Sequence, residues 1–198
     1  MAQMEKRIKI LFLCAGADVQ SWSRLAREAR EIGLHLLAAE ERDSFELITE
    51  WAVRAGDLQR CLLQHRPHIV HLAGLTTDAG EVLLADDSHH TRPVDRRALA
   101  ELFTILEDNM RVVVLSVPNA DGVAREIAKT VDYAISMSGA ISDQTAITFS
   151  AHFYQGLGFG RTVAEAFRLA KNQLLLGDNP DYEKPLLYVR DGAAAAPT

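Results

Sequence analysis

Residues 111–117 read RVVVLSV. A β-branched apolar run this short, bounded by a charged stretch before it and by Pro118 and Asn119 after it, reads as a strand in a sheet covered on both faces. Upstream, Asp95 is placed to cap a helix over about 96–108 that turns Leu99, Leu102, Phe103 and Leu106 inward. Downstream, a short helix over about 121–129 leads to a further strand, DYAISM, at 132–137.

The same alternation extends in both directions. IKILFLC at 8–14 is a buried strand followed by Gly16 as a turn signal. Residues 20–39 space Leu25, Ala29, Ile32 and Leu36 along one helical face, and leave Arg24, Arg27, Glu28, Arg30 and Glu31 largely for the remaining surface. FELITEWAV at 45–53 is a strand in which Ile48 interrupts a strict period of two. Asp57 is expected to cap a helix ending near His65, Pro67 stops it, and HIVHLA at 68–73 is the next strand. The turn GLTTDAG at 74–80 precedes a small hairpin with arms at 81–85 and 91–94. Two helices follow, over about 143–157 with Asp143 as the expected cap, and over about 162–175, where Thr162 and Glu165 form a capping box. A short strand at 186–189 closes the domain, which spans 1–190; residues 191–198 are expected to be a disordered tail. Strands alternating with helices imply an α/β fold, a mostly parallel sheet between two helical layers.

Composition narrows the function classes. The 198-residue chain is 48% apolar and 24% charged, with a net charge of -6. Those are globular proportions, and the balance gives no reason to expect nucleic acid or an anionic membrane as partner. No apolar run approaches the roughly 20 residues of a membrane helix, and a cytoplasmic setting is expected. Cys14 and Cys61 are read as buried free thiols. His89 and His90, in an acidic turn, read as solvated, and His35, His65, His68 and His152 show no ligand spacing, so no metal and no cofactor is expected. CAGADVQSW at 14–22 carries one glycine where a dinucleotide fingerprint needs three, and the chain has no phosphate-loop lysine and no nucleophile elbow. GFGRT at 158–162 joins two helices and reads as a turn.

Three blocks carry a resemblance to a known family: YAISMSGAISDQTAITFSAHFYQGLGFGRTVAEAF at 133–167, RPHIVHLAG at 66–74 and GEVLLADD at 80–87. The chain resembles the CHAT-type bacterial branch of the caspase-like peptidases over roughly 7–189. The resemblance implies a three-layer caspase-like fold with a small β-hairpin insertion. It also implies where chemistry would sit. The family's catalytic histidine phrase corresponds to VHLAGLT, 70–76, which places Leu75 at the catalytic position; His71, a non-catalytic histidine of that phrase, and Gly74 are, with Asp143, the candidate residues of the groove. The nucleophile phrase corresponds to LSVP, 115–118, which places Pro118 at the nucleophile position. Leucine has no titratable group, and proline has neither a nucleophile nor a backbone N–H. Asp143, in the family's I-S-D phrase, lies near the substrate groove and would favour a basic peptide side chain; as a helix cap it needs no ligand.

The expectation is an inactive caspase-like protein that acts by binding a protein partner or by self-association through the terminal strand 186–189. Two alternatives stand beside it. One is a cysteine peptidase with a relocated dyad of Cys14 and His71, both near the carboxyl ends of strands; core packing or a backbone hydrogen bond accounts for each of them more simply. The other is a small-ligand binding domain on the same sheet.

Overall fold

The structure, a computed structural model, describes residues 7–15, 19–86 and 90–193. Strands β1 (Ile8–Ala15), β2 (Phe45–Glu50), β3 (Ile69–Gly74), β6 (Val112–Pro118), β7 (Tyr133–Met137) and β8 (Pro185–Val189) form one sheet in the order β2-β1-β3-β6-β7-β8. Neighbours pair in parallel except β8, which runs antiparallel to β7. Strands β4 (Val82–Ala85) and β5 (Thr91–Val94) make the separate hairpin.

Each central strand is apolar on both sides because each side meets a helical layer. In β1, Leu11, Leu13 and Ala15 face one core, while Ile10, Phe12 and Cys14 face the other. The first core is closed by α2 (Ala55–His65), α3 (Arg96–Ile105) and α4 (Asp121–Ile127). The second is closed by α1 (Val19–Leu37), α5 (Asp143–Gly158) and α6 (Val163–Leu176). The same logic explains Ile48. It packs against the α2 side, whereas Phe45 and Leu47 pack against the α1 side, so the broken alternation marks a sheet covered twice. RVVVLSV lies inside the sheet, and β2 and β8 are its two edges.

Local departures from the sequence reading have local causes. β2 ends at Glu50, and Trp51 is half exposed rather than continuing the strand. α2 begins two residues before Asp57, which sits inside the first turn and accepts from the Arg54 backbone N–H at 3.2 Å and its Nε at 3.0 Å. α5 is capped by Ser142, not Asp143: the Ser142 hydroxyl accepts from the Thr145 N–H at 3.1 Å, and Asp143 is the first helical residue. The Thr162–Glu165 capping box forms as expected. Of the expected tail, residues 191–193 are placed, with the Ala193 N–H donating to Arg190 O at 3.0 Å; residues 194–198 lie outside the described residues. The two candidate caps are separable by mutation. Ser142→Ala is expected to lower stability by about 1 kcal/mol, the usual cost of losing an N-cap acceptor. Asp143→Ala removes an exposed charge and should cost less than about 1 kcal/mol. Chemical denaturation of both variants checks the order, and a larger loss for Asp143→Ala would return the cap to Asp143.

Candidate functional site

The carboxyl ends of the parallel strands form one rim of the sheet, where ligands of such folds gather. Ala73 on β3 pairs with Ser116 on β6, so Leu75 and Pro118, each two residues farther on, emerge side by side. The Thr76 hydroxyl donates to Pro118 O at 2.9 Å and ties the two chain ends together. Leu75 is 43% exposed on this rim, and its carbonyl accepts from the Leu83 N–H of the hairpin at 2.9 Å. Two glycines permit the close approach. A Cβ on Gly74 would stand 2.3 Å from Ala15 O, and one on Gly80, at φ +77°, would stand 2.2 Å from Asn119 O. Asn119 itself takes φ +54°.

Below the rim lies a buried polar cluster. Glu28 of α1 is fully buried, and its Oε1 accepts from Ser116 Oγ at 2.7 Å, Ser150 Oγ at 2.8 Å and His71 Nε2 at 3.1 Å. Its Oε2 has no hydrogen-bond partner, but Arg24 NH1 stands 3.7 Å from it. His71 Nδ1 meets Tyr154 Oη at 3.1 Å, and the Phe12 ring stacks on the imidazole at 4.6 Å. Burial raises the Glu28 pKa, but the hydrogen bond and charge of His71, with the two serine hydroxyls, outweigh it and hold the carboxyl below its ordinary value. Burial and the charge of Glu28 push the Tyr154 phenol well above its ordinary range. With Glu28 ionised, His71 donates to it from Nε2, and Tyr154 Oη is hydrogen-bonded to Nδ1.

Cys14 and His71 share the α1 face of adjacent strands, Cys14 pairing with Ala73 and His71 with Phe12. Both ring nitrogens of His71 are engaged, by Glu28 and Tyr154. Burial first, then the charge of Glu28, push the Cys14 thiol up to about 12, against a smaller opposing effect of Arg24. At neutral pH such a thiol is not a nucleophile. His71 is thus neither packed as an apolar residue nor bonded to backbone, as its sequence neighbours suggest. It is part of a charged cluster.

Asp143 stands at the rim with its side chain 68% exposed, and Arg24 Nε reaches it at 3.4 Å. The same guanidinium donates to Gly74 O at 3.0 Å. Arg24 and Glu28 are where the sequence reading fails most: the helical pattern assigns both to the outer face of the first helix, yet their side chains are 11% and 0% exposed. A signal is present. Glu28 follows Leu25 by three residues and precedes Ile32 by four, which places it within the apolar stripe. Among the described residues no group of three His, Cys, Asp or Glu side chains is arranged to hold a metal ion. His89 lies outside the described residues.

Comparison with known proteins agrees with this architecture. A family model described as CHAT domain matches residues 14–188. A curated relative from Gillisia limnaea, called "Probable protease", is 21% identical over 151 residues; the match covers 75% of this chain but only 26% of that protein. A secreted C11 cysteine protease from Bacteroides thetaiotaomicron, solved with an irreversible peptide inhibitor, superposes with a TM-score of 0.65 at 10% identity, over 85% of this chain and 58% of that one. Caspase-1 from Spodoptera frugiperda superposes with a TM-score of 0.54 at 10% identity, over 92% of this chain and 86% of that one. At these identities the superpositions establish the caspase-like fold.

Proposed function

The chain belongs to the CHAT domain family, and from that premise we propose that it is a catalytically inactive caspase-like protein that works by binding another protein or a second copy of itself. The observation that carries this reading is the pairing of Leu75 and Pro118 at the rim, at the positions that resemble the family's histidine and cysteine. Acyl transfer by a cysteine peptidase needs a thiolate and an imidazole within hydrogen-bond reach. The nearest substitutes, Cys14 and His71, are respectively a thiol raised to about 12 and an imidazole engaged at both nitrogens. The contact of Arg24 with Asp143 supports the same reading, since a carboxylate already facing an internal guanidinium is a poorer anchor for a basic peptide side chain. For association, β8 offers a short open edge to a further strand.

The purified chain is expected to show no turnover of arginyl or lysyl peptide reporters. Turnover that disappears in Cys14→Ala would overturn the proposal and establish the relocated dyad. Turnover that survives Cys14→Ala and co-purifies with the chain would overturn it in favour of another nucleophile.

A further inference from the structure

The groove residues His71, Gly74 and Asp143 converge on one pair of charges. His71 Nε2 meets Glu28 Oε1 at 3.1 Å, Gly74 O accepts from Arg24 NH2 at 3.0 Å, and Asp143 Oδ1 stands 3.4 Å from Arg24 Nε. Arg24 and Glu28 are one turn apart on α1, so the pair links the rim to the cluster beneath it. The pair is incomplete. Glu28 Oε2 is buried with no hydrogen-bond partner, and Arg24 NH1 beside it stops at 3.7 Å. A charge-assisted hydrogen bond runs about 2.7–2.9 Å, so a move of about 1 Å would close the gap.

Arg24 is held back by its other acceptor, because Nε is drawn outward to Asp143, whose side chain is 68% exposed. A guanidinium is a rigid planar fork, and its nitrogens move together. NH1 therefore reaches Glu28 as Nε leaves Asp143, while NH2 stays on Gly74 O as the pivot. We propose that Arg24 is a two-position switch: it stands outward on Asp143 in the free chain and turns inward onto Glu28 Oε2 when a cationic side chain of a bound partner takes Asp143. This rests on the reading that the chain works by binding a protein, and it adds the residue that registers binding at the rim. The two positions compete closely. Outward, a buried oxygen goes unmet; inward, Asp143 is left to water, which solvates an exposed carboxylate well. Neither position serves both carboxylates, and a second cation at Asp143 tips the balance. The inward position completes the Glu28 cluster, so the partner's arrival is felt on β3, β6 and α5 through His71, Ser116 and Ser150.

The test uses the full chain and the variant Asp143→Ala, which empties the outward position. A crystal structure of the variant is expected to show NH1 within hydrogen-bond distance of Glu28 Oε2. A double-mutant cycle of Arg24→Gln with Glu28→Gln, read by urea unfolding, should show a coupling about tenfold larger in the Asp143→Ala background than in wild type, the lower range for a hydrogen bond to a charged group. Arg27→Gln, on the exposed face of the same helix, should leave that coupling unchanged. The partner's cation is represented by Nα-acetyl-arginine amide. Added to wild type at millimolar concentration, it should move the Arg24 Nε–H resonance, assigned with Arg24→Lys, to its position in Asp143→Ala. The proposal is overturned if Asp143→Ala leaves NH1 as far from Glu28 as before, if the coupling does not rise, or if the probe leaves the resonance in place. Should a glutamine variant fail to fold, the crystal structure and the resonance decide. An unmoved Arg24 would leave the inactive reading standing, whereas turnover of a peptide reporter would overturn that reading and not the switch.

Discussion

Replacing Glu28 with alanine is expected to destabilise the fold by about 3–5 kcal/mol, the range for removing one partner from a buried charged cluster. The carboxylate accepts from Ser116, Ser150 and His71 through one oxygen and faces Arg24 with the other. Alanine leaves two hydroxyls and an imidazole N–H buried without their acceptor, and unfilled volume between α1 and the sheet; each contribution adds to the loss. The midpoint of urea unfolding should fall with little change in slope. Glu28→Gln keeps the volume and one acceptor and should lose less. A loss below about 1 kcal/mol for the alanine variant would mean that the cluster contributes no more than an exposed ion pair.

The same residue sets a pH dependence. A carboxyl whose pKa is lowered by folding contributes stability that is fully present above its unfolded value, about 4.3 for glutamate. That contribution is lost as pH falls through the lower, folded value. The wild type should therefore weaken in acid, and Glu28→Gln should show a flatter acid limb than wild type below about pH 4.3.

The contrast between strands and cluster shows what a sequence makes legible. RVVVLSV, IKILFLC and HIVHLA are readable because burial on both faces requires a continuous apolar run, whatever the strand order. The meeting of Leu75 with Pro118 is readable only through the family resemblance, since it requires β3 and β6 to be neighbours in the sheet. The order β2-β1-β3-β6-β7-β8 is a different matter, because it depends on crossovers between distant segments. The α5 cap differs from the sequence reading by one residue: Ser142 and Asp143 are both good cap types, and only the backbone conformation of Ser142, ψ 153°, tells them apart. Glu28 escapes for a deeper reason. A charge on an apolar helical stripe is counted as an edge residue unless its partners are known, and here those partners lie on β3, β6 and α5. The edge-to-face contact of the His35 ring with the His152 ring has the same origin, since it joins α1 to α5, far apart in the chain.

Introducing Leu75→His and Pro118→Cys together is expected to leave turnover of arginyl and lysyl reporters at the wild-type level. The new side chains would stand side by side, but the backbone that carries them serves other bonds. Pro118 O accepts from Thr76, and β6 shifts register against β7 between Val114 and Pro118. The next residue, Asn119, has a positive φ and is held against Gly80. A cysteine there gains a backbone N–H and freedom of φ in a loop whose neighbours are set by proline. A misplacement of about 1 Å costs on the order of a hundredfold in rate. The introduced histidine faces a second deficit. A catalytic imidazole needs a group to orient it, and the carboxylate beneath this rim, Glu28, already accepts from His71, Ser116 and Ser150. Reporter hydrolysis by the double variant, both single variants and wild type checks the expectation. Turnover in the double variant alone, abolished when the introduced thiol is alkylated, would refute it and would mean that the rim still holds a backbone geometry fit for acyl transfer, so that activity had been lost through two side chains and nothing else.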